Sequence, residues 1–255
     1  MRKAVEDGLV VLDSFLTGSY SRHTMIAPLK EADIDIFVVL DSSYYEGNGQ
    51  ANLLDRVKRV LRRTYPITPD ISRNGQAVTI QFADFMVDVV AGFHRRGGGY
   101  LIPSTVGSTW IATDPKRHVE IFADANRVHG GDLVPLIKMI KAWNRNINYF
   151  NSFHLEVLAL QILDGVTISD FPSGVRYFFD KGRTLITKEN LDPAGYGGDV
   201  GYYLNSEPKI SSAVSRFGTA YERALKAEQC ESSGYTSLAV DEWRKIFGSY
   251  FPSYG

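Results

Sequence analysis

The chain carries one cysteine, Cys230, among 255 residues, which excludes an internal disulfide and a cysteine-rich zinc site. No apolar run approaches the ~18 residues a membrane-spanning helix requires, and no signal-peptide pattern is present. Neither charge is in excess: 28 Lys+Arg stand against 29 Asp+Glu, for a formal net charge of -1. That excludes a general basic coat for nucleic acid, though not a local basic cleft. Repeats, heptads and low-complexity tracts are also missing. What remains, 44% hydrophobic and 22% charged, is the composition of a globular protein with one large domain or two lobes. A cytoplasmic protein is the expectation.

The richest stretch is 18–40, GSYSRHTMIAPLKEADIDIFVVL. A Gly-Ser turn at Gly18 and Ser19 leads to two carboxylates, Asp33 and Asp35, at the head of an apolar run. Ile34, Ile36, Phe37, Val38, Val39 and Leu40 predict a buried strand over 34–40. Side chains two apart on a strand share a face, so both carboxylates point one way, with Cβ atoms on the order of 7 Å apart. A fold keeps such a repelling pair when a cation sits between them. The plainer reading of Asp-x-Asp is an acidic strand end. The glycine upstream, which allows close backbone approach to a phosphate, favours a combined phosphate and metal site.

In chain order, 1–11 predicts a short amphipathic helix, 13–17 a strand and 21–24 a helical turn. A polar surface loop is expected over 42–50. Leu53, Leu54, Val57, Val60 and Leu61 mark a helix ending before Pro66. Strands over 77–82 and 85–91 form a hairpin at Ala83 and Asp84. Asp88 stands inside the second among Val87, Val89 and Val90, where it needs a partner or a metal. Beside Asp33 and Asp35 it supplies a third oxygen donor for a two-metal site. A flexible basic loop, 94–99, and short extended pieces at 100–103 and 108–113 follow. Helical stretches then run over 116–128, 132–144, 152–163, 175–188, 206–229 and 237–247. The first half reads as α/β and the second as nearly all α.

Gly-Ser followed by Asp-Ile-Asp on a strand, then Asp88 on a later strand, resembles the polymerase-β-like nucleotidyltransferases. LIKMIKAWNR (136–145), SFHLEVL (152–158), Asp192-Pro193-Ala194 and the closing EWRKIFGSYFP (242–252) narrow the resemblance. It is to the CD-NTase, or SMODS, family, bacterial relatives of cyclic GMP-AMP synthase and oligoadenylate synthetase. The resemblance implies an α+β fold: a nucleotidyltransferase lobe of twisted mixed sheet and helices, 1–114, packed on a helical lobe, 115–255, with the nucleotide between. It implies that Asp33, Asp35 and Asp88 hold two Mg²⁺ ions, with Mn²⁺ as a substitute. Gly18 and Ser19 would contact the donor triphosphate of ATP or another nucleoside triphosphate. Lys141 would reach that triphosphate, Ser152 would assist, and Phe153 would stack on the base. The activity implied is synthesis of a cyclic di- or trinucleotide second messenger in anti-phage (CBASS-type) signalling. Some family members are conjugated by a ubiquitin-like ligase through the C-terminus, which makes the glycine-ended tail 252–255 a point of regulation to test.

Each assignment has a plainer alternative. Lys138 and Lys141 are solvated helix positions, Phe153 is core, His154 is a hydrogen-bonded structural histidine, Arg22 and His23 face water, and Asp192 shapes a loop. Other activities weighed are an RNA-tailing enzyme of the CCA-adding kind and a non-catalytic nucleotide-binding protein. The stretch before Gly18 is shorter than the family's usual N-terminal helix. The zinc insertion of the animal synthase is absent, so no long double-stranded DNA activator is expected.

Overall fold

The computed structural model describes residues 1–28, 33–68 and 70–254. Positions 29–32, in the middle of the 18–40 stretch, and Gly255, on which a C-terminal conjugation rests, lie outside the described residues. The chain divides into two compact units, Met1–Ile121 and Phe122–Gly255. The border falls inside a helix rather than at the expected 114/115. The first turn of that helix is tied to the first unit: Lys116 Nζ is 2.9 Å from Asp13 Oδ2 and lies 4.4 Å from the centre of the Phe15 ring.

The first unit is a mixed sheet with helices. Its strands are β1 (Val11–Thr17), β2 (Asp33–Leu40), β3 (Asp70–Asn74), β4 (Ala77–Gln81), β5 (Met86–His94), β6 (Tyr100–Ser104) and β7 (Thr109–Thr113). The main path runs β1-β2-β5-β4-β3, and β6 joins β5 to β7. Among the described residues only the central β2–β5 pairing is parallel; the others are antiparallel. Three α-helices precede β3 among the described residues: α1 (Arg2–Glu6), α2 (Gly18–Ser21) and α3 (Gln50–Thr64).

Alternation along β2 and β5 divides the sheet into two faces. Val38, Leu40, Val87, Val89 and Ala91 are buried with Leu53, Leu54, Val57, Val60 and Leu61 of α3. On the other face Phe37 and Val39 pack with Tyr100 and Ile102, and Phe15 stacks on Phe37 at 5.1 Å. The expected 42–50 loop is pinned rather than loose, since Trp110 Nε1 donates to the carbonyls of Glu46 and Gly47. Positions 94–99, expected as a flexible loop, close the β5–β6 hairpin: Arg95 N–H donates to Gly99 O and Gly98 N–H to Arg95 O.

The second unit is helical: the C-terminal half of α4 (Pro115–Val128), then α5 (Leu133–Ile147), α6 (Ser152–Leu163), α7 (Phe171–Leu185), α8 (Glu207–Ser232) and α9 (Thr236–Phe247). Trp143 of α5, Phe178 and Phe179 of α7, Phe217 of α8 and the inter-helix Phe150 make its aromatic core. Helix α6 is apolar almost all round, as a central helix must be. Gly182 lets α7 and α8 approach, because a Cβ there would fall within 2.2 Å of the Phe217 ring. No helix among the described residues is long and apolar enough to cross a membrane.

Candidate active site

The parallel register of β2 and β5 sets Asp35 directly beside Asp88 and Asp33 beside Met86. Adjacent strands lie about 4.8 Å apart, so two carboxylates meet side by side on one face. Thr17 on β1 pairs with Asp35, and Thr79 on β4 pairs with Asp88. The row across four strands is therefore Thr17, Asp35, Asp88, Thr79. Because Val87 and Val89 are buried beneath α3, Asp88 points to the opposite face. Asp35 shares that face with Phe37. Asp33 is exposed at the strand end, while Asp35 and Asp88 are half-buried.

Two local devices shape this row. Thr79 Oγ1 donates to Asp88 Oδ1 at 2.5 Å, a charge-assisted bond that fixes the carboxylate's orientation. Gly18 has φ +65°, and a Cβ built on it would lie 1.7 Å from Asp35 Oδ2. Glycine is required there on both counts. The helical turn begins at Gly18 itself rather than at 21. It is held by Thr24 N–H and Met25 N–H, both donating to Ser19 O at 2.9 and 3.1 Å. Beyond it, His23 adopts φ 60° and Arg22 is buried.

Three carboxylates on one face form a hard oxygen donor set suited to Mg²⁺ or Mn²⁺ rather than to softer ions. Among the described residues no three carboxylate, imidazole or thiol groups already lie close enough together to hold one ion. The fit to a divalent cation rests on donor chemistry, shared face and register.

The second unit carries the other predicted residues. Lys141 on α5 is buried, and its Nζ donates to Glu156 Oε1 of α6 at 3.1 Å; the two side chains are 7% and 1% exposed. It is not a solvated helix position. Ser152 opens α6 and is exposed, and Phe153 is half-buried. Their turn is built by Asn144. Its Nδ2 donates to Phe150 O at 2.7 Å and its Oδ1 accepts from Phe150 N–H at 2.9 Å. His154 faces inward, its Nδ1 3.1 Å from Tyr203 Oη, and burial lowers its pKa to about 4. Burial pushes Tyr203 up to about 12, so that hydroxyl keeps its proton. It accepts from Asn151 N–H. Asp192 shapes its loop as expected, accepting from Ala194 N–H and Gly197 N–H.

Thr79, Asn144, Glu156 and Tyr203 escape sequence reasoning. A strand threonine announces no register, and Asn144 and Glu156 sit unremarked inside the AWNR and SFHLE strings. The only hint of Glu156 is a lone acid in a mostly apolar helix.

Residues 3–126 match the model of the Second Messenger Oligonucleotide or Dinucleotide Synthetase domain, SMODS. A cyclic AMP-AMP-AMP synthase of an Acinetobacter species is 29% identical, over 95% of this chain and 74% of its own. A probable cyclic nucleotide synthase of Bacillus cereus is 26% identical over 93% of this chain and 81% of its own. The fold superposes on Escherichia coli CdnC solved with ATP at a TM-score of 0.80, with 20% identity over 99% of this chain and 88% of that one. The carboxylate row, the match over the first unit and relatives spanning both units support one assignment, membership of the CD-NTase (SMODS) family of nucleotidyltransferases.

Proposed function

We propose that this chain is a metal-dependent nucleotidyltransferase. It joins nucleoside triphosphates into a cyclic di- or trinucleotide second messenger in CBASS-type anti-phage signalling and releases pyrophosphate. The observation that carries this is the in-register pair Asp35 and Asp88, with Asp33 on the same face and a glycine turn against Asp35.

Nucleotidyltransferases of this family generally use divalent metal ions. Here Asp33, Asp35 and Asp88 would hold two, Mg²⁺ by preference. When bound, such ions lower the pKa of an acceptor hydroxyl and offset charge on departing pyrophosphate. The chain's own residues position the reactants. Thr79 orients Asp88, and Gly18 keeps the turn close enough for Ser19 to meet the triphosphate. The acceptor hydroxyl oxygen forms a bond to the α-phosphorus and sheds its proton. The bond from that phosphorus to the β-bridging oxygen breaks, and pyrophosphate leaves. Glu156 holds the Lys141 ammonium in a fixed place to meet triphosphate charge. Ser152 and Phe153, set by the Asn144 turn, receive the donor nucleotide, with the Phe153 ring stacking on its base.

Incubation with the four labelled nucleoside triphosphates and Mg²⁺ or Mn²⁺, followed by mass spectrometry, is expected to show a cyclic oligonucleotide and pyrophosphate. Asp88→Asn should reduce both together. Full synthesis by that variant would overturn the assignment.

A further inference from the structure

One hydroxyl brackets the Ser152–Phe153 pair. Tyr203 Oη accepts from Asn151 N–H at 3.2 Å on one side of it. On the other side the same oxygen lies 3.1 Å from His154 Nδ1. The bracket stands where α6 lacks the usual device for fixing a first turn. Asn151 is a favoured N-cap type, yet its side chain makes no cap hydrogen bond. Asn144 fixes the preceding turn as far as Phe150, and the bond to Tyr203 takes over at Asn151. The start of α6 is thus held from outside, by the loop between α7 and α8.

Tyr203 is itself anchored. Its carbonyl accepts from Lys209 Nζ at 3.0 Å. Lys209 O in turn accepts from Tyr149 Oη at 2.8 Å, which ties the start of α8 to the turn before α6. Further back in the loop, Asp199 Oδ1 accepts from Asn190 N–H and Gly201 N–H at 3.0 and 2.8 Å. Gly201 lies flat against the imidazole, since a Cβ there would come within 2.9 Å of His154 Cε1. The His154 ring meets Tyr203 edge to face, with centroids 5.6 Å apart. A braced loop therefore delivers the hydroxyl to both flanks of the pair.

From this arrangement we infer that Tyr203 is a positioning residue for the donor nucleotide, its hydroxyl setting the angle at which the Phe153 ring meets the base. The inference rests on the proposed reading of Phe153 as the stacking ring. Stacking depends on the offset and tilt of the two planes, so the ring that stacks has to be held. Phe153 is half-buried rather than enclosed, which leaves much of that task to its backbone. In this role Tyr203 acts through Asn151 and His154, not on the reacting atoms. Asp33, Asp35 and Asp88 belong to the other unit, so losing the hydroxyl should tell on nucleotide binding rather than on the chemical step.

Titration with the triphosphate of 2-aminopurine riboside, whose fluorescence falls on stacking, tests it, with Ca²⁺ replacing Mg²⁺ to hold back turnover. Tyr203→Phe should weaken probe binding about 10-fold, the share of one hydrogen bond, and leave less quenching at saturation. Its KM for ATP should rise to match, with kcat within about twofold of wild type and a melting temperature within about 4 °C. Phe153→Ala should abolish the quench. Adding Tyr203→Phe to that variant should cost no further affinity, because the hydroxyl acts through the ring. Losses that add would make Tyr203 merely structural. That result, or a Tyr203→Phe variant with wild-type affinity and quench, would overturn the inference and leave the proposed reaction standing. Wild-type stacking on the probe without any cyclic product would sink the reaction and leave the positioning role standing. A Phe153→Ala variant that still quenches would remove the ring and the inference together.

Discussion

A single methyl group is enough to close the site at Gly18. An added Cβ would overlap Asp35 Oδ2, so either the turn or the carboxylate must move by about 1 Å. Misplacement of that size near reacting groups costs on the order of 100-fold in rate. Gly18→Ala is therefore expected to lose at least that much synthesis in a pyrophosphate-release assay, with about 1 kcal/mol of stability lost to the positive φ. Thr79 acts more gently. Thr79→Val removes the donor to Asp88 and should weaken the metal activation constant ~10- to 100-fold while the melting curve barely moves. His154 reads out in pH rather than in rate. Burial lowers its folded pKa from 6.5 to about 4, so the unfolded chain takes up its proton first as pH falls. Its contribution is whole above pH 6.5 and is lost as pH drops through about 4, by on the order of 3 kcal/mol. Urea unfolding across that window should show the loss in the wild type and not in His154→Gln.

At the scale of elements, the α5–α6 pair turns on the buried Lys141–Glu156 contact. Glu156→Gln leaves an ammonium buried without that carboxylate and should cost about 3–5 kcal/mol. The double change Lys141→Met with Glu156→Leu should recover most of that stability, since apolar replacements of buried pairs are often neutral. If Lys141 meets the triphosphate, the double variant will melt normally yet show a raised KM for ATP. A wild-type KM would remove Lys141 from the site. Helix α6 was predicted at its observed ends, because Phe153, Val157, Leu160 and Ile162 keep a helical pattern between Asn151 and Asp164. Strand β3 was not predicted. Its DISRN buries only Ile71, and an edge strand that hides one side chain leaves no alternation to read. The aspartates could be nominated from residue type and spacing. That Asp88 lies beside Asp33 and Asp35 was expected; that it stands opposite Asp35 rather than Asp33 could not be read, because register is a property of two strands and each was read alone.

For the whole molecule, each unit holds its own apolar core, and Asp33, Asp35 and Asp88 belong to neither. Chelation by EDTA should thus abolish synthesis while far-UV circular dichroism stays unchanged and Tm moves by only ~2 °C, metal binding contributing through mass action alone. Added Mn²⁺ should restore product. A collapse of the circular dichroism signal would show that an ion is structural instead.

The parallel pairing of β2 with β5 has a consequence in time. Asp35 and Asp88 are 53 residues apart (88 minus 35), and antiparallel β4 comes between them in sequence while β5 inserts between β2 and β4 in space. Non-local parallel contacts of this kind carry the loop-closure cost before they are rewarded. The carboxylates come together only once Val87 and Val89 are seated under α3, so burying the valines and presenting the aspartate are one event. If the pair is catalytic, a chain still emerging from the ribosome, or one partly unfolded, has no assembled site. For an enzyme whose product is an alarm, that ties signalling competence to a finished fold.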